Sequence, residues 1–126
     1  VQKEVAERFI AKVNSKQYGR ISVLIQIFCD IKKKFDVSPD NFFPKPKVES
    51  SVIEIIPKEN IKVDYKKIDK VLKLSFLHRR KTIKNNFKKK NIDTKKLPFD
   101  NDTLDNLRPQ EISPEKYLKL TKHLFG

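Results

Sequence analysis

The placement of prolines constrains this chain more than any other feature. Pro39, Pro44 and Pro46 crowd one short stretch. Each fixes φ, removes a backbone donor and pushes the preceding residue towards extended geometry, so no helix can run through them. Ser51 to Ile56 follows, rich in Val and Ile and stopped by Pro57, and reads as a strand. Beyond Pro57 the apolar spacing changes from two residues to about 3.6, the period of a helix. The chain therefore divides at Pro57 into a part able to hold sheet and a part that predicts helices only.

Helical marks also precede the prolines. Val1, Val5 and Phe9, with Ala6 and Ile10 beside them, recur at helical spacing, while Lys3, Glu4, Glu7 and Arg8 face the other way. Asn14 and Ser15 break this pattern. After Tyr18, Gly19 and Arg20, the stripe Ile21, Leu24, Ile25 and Phe28 predicts a second, largely apolar and buried helix. Lys34 to Val37 reads as a short strand. Past the charged connection 58–63, Asp64 is placed to cap a helix with Tyr65, Ile68, Leu72 and Phe76 inward and Lys66, Lys67, Lys70 and Lys73 in water. Ile83 and Phe87 continue the apolar marks after a bend near His78. Asn91 to Thr103 reads as irregular, and Ser113, Pro114 and Glu115 open a last helix with Tyr117, Leu120 and Leu124 inward. The expected architecture is the tail of an α/β layer over residues 1–57 joined to a small helical bundle over residues 58–126.

Charge then narrows the function classes. The chain of 126 residues carries a formal +13, and the stretch from Lys62 to Lys96 holds 14 Lys or Arg against three acids, a net +11. A basic excess gathered in one segment suits phosphate binding, because each neutralised phosphate releases condensed counterions; a merely solvated lysine-rich surface is the bland alternative. Cys29 is the single cysteine, which excludes an intrachain disulfide and fits a small core residue in a reducing compartment. No apolar run reaches the roughly eighteen residues a membrane span needs, and the charged start is no signal peptide. The absence of Met and the opening within a helical pattern lead us to expect a piece of a longer protein.

Two segments carry recognisable chemistry. In Asn41-Phe42-Phe43-Pro44-Lys45-Pro46-Lys47, aromatics sit beside cations on a backbone that cannot relax into a helix, which suits stacking on a nucleobase; plugging the core is the structural alternative for either phenylalanine. In Arg79-Arg80-Lys81-Thr82-Ile83-Lys84-Asn85-Asn86, the arginine pair can hold phosphate bidentately, with Arg80 and Lys84 on one helical face and Ile83 and Phe87 on another. Asn85 and Asn86 could bond backbone or bases. The only glycines are Gly19 and Gly126, so no phosphate-cradling glycine loop can be built. His78, His123 and Cys29 are too scattered for metal-ligand spacing, and no catalytic triad is recognisable.

At these residues the chain resembles a family. Gln2-Lys3-Glu4-Val5-Ala6-Glu7-Arg8, Tyr18-Gly19-Arg20-Ile21-Ser22-Val23 and Phe42-Phe43-Pro44-Lys45-Pro46-Lys47-Val48-Glu49-Ser50 resemble, in this order, the later part of the catalytic domain of ribosomal RNA adenine dimethyltransferases. Arg79 to Asn86, followed by Leu107-Arg108-Pro109-Gln110-Glu111-Ile112-Ser113, resembles their helical carboxy-terminal domain. The arginine-pair segment looks like the bacterial ribosome-maturation type more than the antibiotic-resistance methylases. The resemblance implies the end of a Rossmann-like methyltransferase domain followed by a small all-α domain. It implies methyl transfer from S-adenosylmethionine to the exocyclic amines of two adjacent adenosines near the 3′ end of small-subunit rRNA, in the cytoplasm and during subunit assembly. Its partners would be that rRNA and the immature small ribosomal subunit, with no membrane and no metal. Phe42 would stack on the flipped target adenine, and Arg79, Arg80, Lys81 and Lys84, with Lys45 and Lys47, would hold RNA.

The family's glycine-rich donor-binding turn and its Asn-Leu-Pro-Tyr-like catalytic loop lie upstream of the equivalent of Val1. No catalytic or donor-binding residue is therefore assigned, S-adenosylmethionine is expected on residues outside this chain, and the chain alone is expected to be inactive. His78 stands where relatives often have Gln. A non-catalytic rRNA-binding or ribosome-assembly protein derived from the family is the alternative, and a relative acting in transcription a weaker one.

Overall fold

The structure, a computed structural model, describes residues 1–41, 43–45, 47–92 and 106–125. Helices α1 (Lys3–Ile10) and α2 (Arg20–Phe28) come first. Strands β1 (Cys29–Val37) and β2 (Ser50–Pro57) follow, with one 3₁₀ turn, Pro39–Asn41, after β1. Beyond Pro57 the described elements are helices α3 (Tyr65–Ser75), α4 (Ile83–Lys88) and α5 (Pro114–Phe125), with a 3₁₀ turn over Pro109–Glu111. The change of period at Pro57 thus marks a change from sheet to helices.

Strand β1 is longer than the Lys34–Val37 expected, and it leaves α2 with no loop between them. It pairs antiparallel with β2 from Cys29 opposite Pro57 to Val37 opposite Ser50, with a register irregularity between Lys33 and Phe35. Residues 29–33 are too polar to announce a strand; their backbone groups are recruited by β2, whose Val and Ile residues carry the β preference. The start of the chain is strapped to the same hairpin, where Lys3 N donates to Glu49 O at 2.9 Å and Ser51 N donates to Val1 O at 2.7 Å. The Ser51 hydroxyl donates to Asp36 at 2.6 Å, and this bond, with Lys33 and Lys3 nearby, holds the Asp36 carboxyl below its ordinary range.

Helix α2 was expected to bury Ile21, Leu24, Ile25 and Phe28. It instead buries Ser22, Val23 and Ile27, with Leu24 and Phe28 only partly covered and Ile21 44% exposed. An almost wholly apolar helix has no amphipathic face to declare, so its neighbours decide which side is covered. Buried Ser22 is satisfied locally: its hydroxyl donates to Arg8 O and accepts from Gly19 N. Tyr65, expected inward on α3, is 54% exposed at the helix start and tilts against the Phe28 ring, 6.2 Å between centroids. The rest of α3 follows expectation, with Asp64 accepting from Lys66 N at 3.0 Å and Ile68, Val71 and Leu72 fully buried. Ser113 caps α5, and Tyr117 and Leu120 point inward. The expected irregular segment lies mostly outside the described residues.

One hydrophobic core joins the two parts. Tyr18, Val23 and Ile27 pack with Ile68, Val71 and Leu72 of α3, Ile83 and Phe87 of α4, and Ile112, Tyr117 and Leu120. Two buried phenols fasten the 3₁₀ turn into this core. Tyr18 Oη donates to Ile112 O and Tyr117 Oη donates to Pro109 O, each at 2.6 Å. Backbone bonds do the same, from Asn14 N to Gln110 O at 2.7 Å and from Ile83 N to Leu107 O at 2.8 Å. The segment 107–113, recognised as a motif, is therefore a strap between the front of the chain and its last helix.

A buried carbonyl left without its donor costs about 1 to 3 kcal/mol, so Tyr18→Phe should lower stability by about that amount. The checking measurement is the urea midpoint, which should fall at unchanged denaturant slope. Burial also holds the Tyr18 phenol protonated well above its ordinary range. Its contribution is thus fully present below about pH 10 and is lost as pH rises beyond that. Alkaline unfolding should be less steep in Tyr18→Phe, as read by circular dichroism between neutral and alkaline pH.

Candidate nucleic-acid interface

The basic segment is held on a turn between α3 and α4 whose shape is set by one buried amide. Asn86 is fully buried. Its Nδ2 donates to Ser75 O at 3.0 Å, His78 O at 3.1 Å and Lys81 O at 3.3 Å, and its Oδ1 accepts from His78 N at 3.0 Å. Thr82 caps α4, its hydroxyl accepting from Asn85 N at 3.3 Å. The backbone from Ser75 to Lys81 thus folds around a side chain of the following helix, with Ile83 and Phe87 anchoring that helix in the core. The sequence left open whether Asn86 would bond backbone or bases; the structure turns it wholly to backbone. The only available signal was an amide next to Phe87 on the inward side of a short helix.

From this frame Arg80, Lys81 and Lys84 stand exposed, while Arg79 turns inward. The Arg79 guanidinium donates to the carbonyls of Ser15 and Lys16, each at 3.2 Å, and to that of Tyr18. The two arginines, adjacent in sequence, therefore have different surroundings. Arg79 binds the turn to the loop that precedes α2, and Arg80 faces solvent.

Charge pairing separates this region from the rest of the molecule. Near the sheet, Lys3 pairs with Glu49 at 3.1 Å, Lys34 with Glu54 at 3.1 Å and Lys33 with Asp36 at 3.3 Å. The sequence has no Asp or Glu between Asp69 and Asp93. Among the described residues no ion pair reaches Arg79, Arg80, Lys81, Lys84, Lys88, Lys89 or Lys90. Lys89, near Lys81, is held below its ordinary range by that side chain's hydrogen bonding and like charge, with desolvation adding to the effect. The charge of Lys89, then desolvation, then Lys81 lower the His78 imidazole as well. A surface on which neighbouring cations lower Lys89 and His78 is an electrostatic site for an anion.

The proline-rich segment is a different environment. Lys45 pairs with Asp40 at 2.7 Å, Lys47 is exposed, and Phe43 is fully exposed. Phe42, expected as the stacking aromatic, lies outside the described residues. No hydrogen bond, ion pair or ring contact among the described residues joins Lys45 or Lys47 to the Arg79–Lys84 turn. Cys29 is half-buried at the start of β1 and lines a hollow of about 480 Å³ together with Lys12, Gln26, Lys58 and Glu115. Among the described residues no group of His, Cys, Asp or Glu could hold a metal ion, and no helix is long and apolar enough to cross a membrane.

Comparison with known proteins decides the family. The sequence profile described as ribosomal RNA adenine dimethylase matches residues 1–124. This chain belongs to that family. Ribosomal RNA small subunit methyltransferase A of Ehrlichia chaffeensis is 41% identical over 122 residues, covering 95% of this chain and 46% of the relative. The protein of the same name from Neisseria meningitidis serogroup C is 41% identical over 134 residues, covering 100% of this chain and 49% of the relative. The chain spans about half the length of the curated relatives it matches. A crystal structure of a dimethyladenosine transferase from Plasmodium falciparum superposes with a TM-score of 0.79 at 26% identity, over 94% of this chain and 53% of that one. The 23S rRNA methyltransferase ErmE shares the fold, with a TM-score of 0.64 at 18% identity over 99% of this chain and 52% of its own. The small sheet with flanking helices is thus part of the rRNA dimethyltransferase fold.

The placement of the two arginines predicts opposite phenotypes. Arg79→Ala should destabilise the chain by about 2 to 3 kcal/mol, because partly buried carbonyls lose charge-assisted bonds. Arg80→Ala should leave the unfolding midpoint within about 0.5 kcal/mol of the parent, as an exposed position with no partner among the described residues does. Urea titration of both variants checks the contrast.

Proposed function

We propose that this chain is the carboxy-terminal portion of an S-adenosylmethionine-dependent enzyme that dimethylates two adjacent adenosines near the 3′ end of small-subunit rRNA. Its setting is the cytoplasm, its partner the immature small ribosomal subunit, and its action belongs to subunit assembly. The observation that carries this reading is the cation-only surface from Arg80 to Lys90, free of described ion pairs, on a chain of the adenine dimethylase family. Residues 1–57 then form the end of the catalytic portion, and residues 58–126 a helical RNA-holding portion docked on it through α2 and Arg79.

The residues here do not fit the methyl donor. Gly19, the one described glycine, has extended backbone with φ −149° and precedes a helix filled with Ile and Val, so it forms no glycine-rich cradle. No step through the donor is derived from these residues, and its binding is assigned to the part of the enzyme that carries such a turn. What this chain supplies is grip and position. Arg80, Lys81 and Lys84 meet backbone phosphates, which fixes orientation without reading sequence. Arg79 holds that surface in register with α2, and Lys47, with Lys45 if it leaves Asp40, adds charge beside the stacking segment. An adenine amine is inaccessible within a helix stack, so the target base must leave it. By resemblance to the family's motif, Phe42 gives the extruded adenine its stacking partner, worth about 1 to 3 kcal/mol.

Two measurements test the proposal. With a small-subunit rRNA hairpin, Arg80→Ala combined with Lys84→Ala should flatten the log-log salt dependence of binding by about one to two units while leaving the melting temperature unchanged; an unaltered slope would count against it. In the complete enzyme, Phe42→Ala should lower methylation more than it lowers RNA affinity. Equal losses would make Phe42 a structural residue only.

A further inference from the structure

Lys81, at the end of the turn, and Asn85, Lys88 and Lys89, on α4 and its C-cap, line one surface hollow of about 390 Å³. All four are exposed. Three lysine side chains line this space, and among the described residues no carboxylate pairs with any of them. We propose that Lys81, Asn85, Lys88 and Lys89 form a seat for one phosphate of an RNA backbone, with His78 beside it. The proposal deepens the RNA-binding reading and rests on it, and it adds two lysines that the arginine-pair motif did not mark.

Like charges held together without an acid raise the energy of the empty surface; an anion between them removes that repulsion and gains charge-assisted bonds. The seat is positioned by the core. Phe87 and Ile83 fix α4 from inside, and Asn86 fixes the end of the turn through Lys81 O. Asn85, whose backbone N–H is already taken by Thr82, keeps its side-chain amide free to donate to a phosphate oxygen. His78 reports on the seat. Among the described residues only Lys89 at the C-cap of α4 and Lys81 from its own turn act on it by charge, both cationic, and no acid there offsets them. Its imidazole is therefore neutral near pH 7, and a phosphate arriving between the two lysines would favour its protonation.

The test uses this 126-residue chain with sulfate as probe, because sulfate keeps its charge across the pH range where histidine titrates. His78 and His123 would be followed by their imidazole NMR signals in sulfate and in chloride at equal ionic strength. Sulfate should raise the His78 midpoint by about half a pH unit or more relative to chloride, leaving His123 unmoved. In Lys81→Gln with Lys89→Gln the chloride midpoint should rise towards the ordinary value and the sulfate-dependent change should vanish; Lys66→Gln with Lys67→Gln should behave as the parent. Equal midpoints in sulfate and chloride, or a sulfate response that survives the first pair of substitutions, overturns the seat.

An rRNA hairpin separates this proposal from the one beneath it. Lys81→Gln with Lys89→Gln should weaken hairpin binding by about tenfold at low salt and flatten the salt slope by about one unit. If that variant binds like the parent while Arg80→Ala binds less well, the seat falls and the RNA reading stands. If the parent binds no hairpin but sulfate still moves His78, the anion seat stands and the RNA reading falls.

Discussion

The guanidinium of Arg79 is the interaction on which the arrangement depends. It is a fixed, planar group, and it gathers the carbonyls of Ser15, Lys16 and Tyr18 from a loop that comes some sixty residues earlier. Those carbonyls lie in the loop just before α2, so the cationic turn is tied to the helix that both leads into the sheet and packs under α3 and α5. Lysine could not replace it, because a single ammonium cannot present the same fork. A cation that the sequence marks for a ligand thus spends its donors on protein, and in doing so aims its neighbours outward.

Around that link, polar side chains buried in the core define the surface more than apolar ones do. Asn86 folds the turn from Ser75 to Lys81 about itself, Ser22 ties α2 to the end of α1, and the phenols of Tyr18 and Tyr117 tether the strap 107–113. Each is satisfied, so each adds a geometric demand without leaving an orphan group. The result is a rigid presentation of flexible lysines. Charge is then divided by region: near the sheet cations meet acids, whereas the stretch from Arg79 to Lys90 holds no acid and no ion pair among the described residues reaches its cations. Repulsion among Lys81, Lys89 and His78 is the cost of that division, and it makes the surface receptive to phosphate.

Much of this was legible in order rather than in detail. The proline stretch and the Val/Ile run marked the hairpin, the switch of period at Pro57 marked where helices take over, and Asp64 and Ser113 stand where caps belong. Strand β1 was partly hidden, because Asp30, Lys32 and Lys33 become strand only through backbone pairing with β2. The inward face of α2 was misread, since Ile21, Leu24, Ile25 and Phe28 are as apolar as the residues that in fact turn inward. The basic surface was visible as a run of charge, but its inner organisation was not: Arg79 and Arg80 are identical to a reader of sequence, and Asn86 was open to backbone or base alike.

By itself the sequence determined the composition of the surface and the limits on each segment. Proline chemistry forbids helices locally, no acid interrupts the run between Asp69 and Asp93, and ordered motifs over nearly the whole chain place it among the adenine dimethylases. These are local or countable properties. Tertiary structure alone decided which of two adjacent arginines is spent on the protein, which side of an all-apolar helix is covered, and which lysines share one hollow. Those outcomes depend on carbonyls and ammonium groups brought together from distant positions, and no spacing along the chain encodes such a distance.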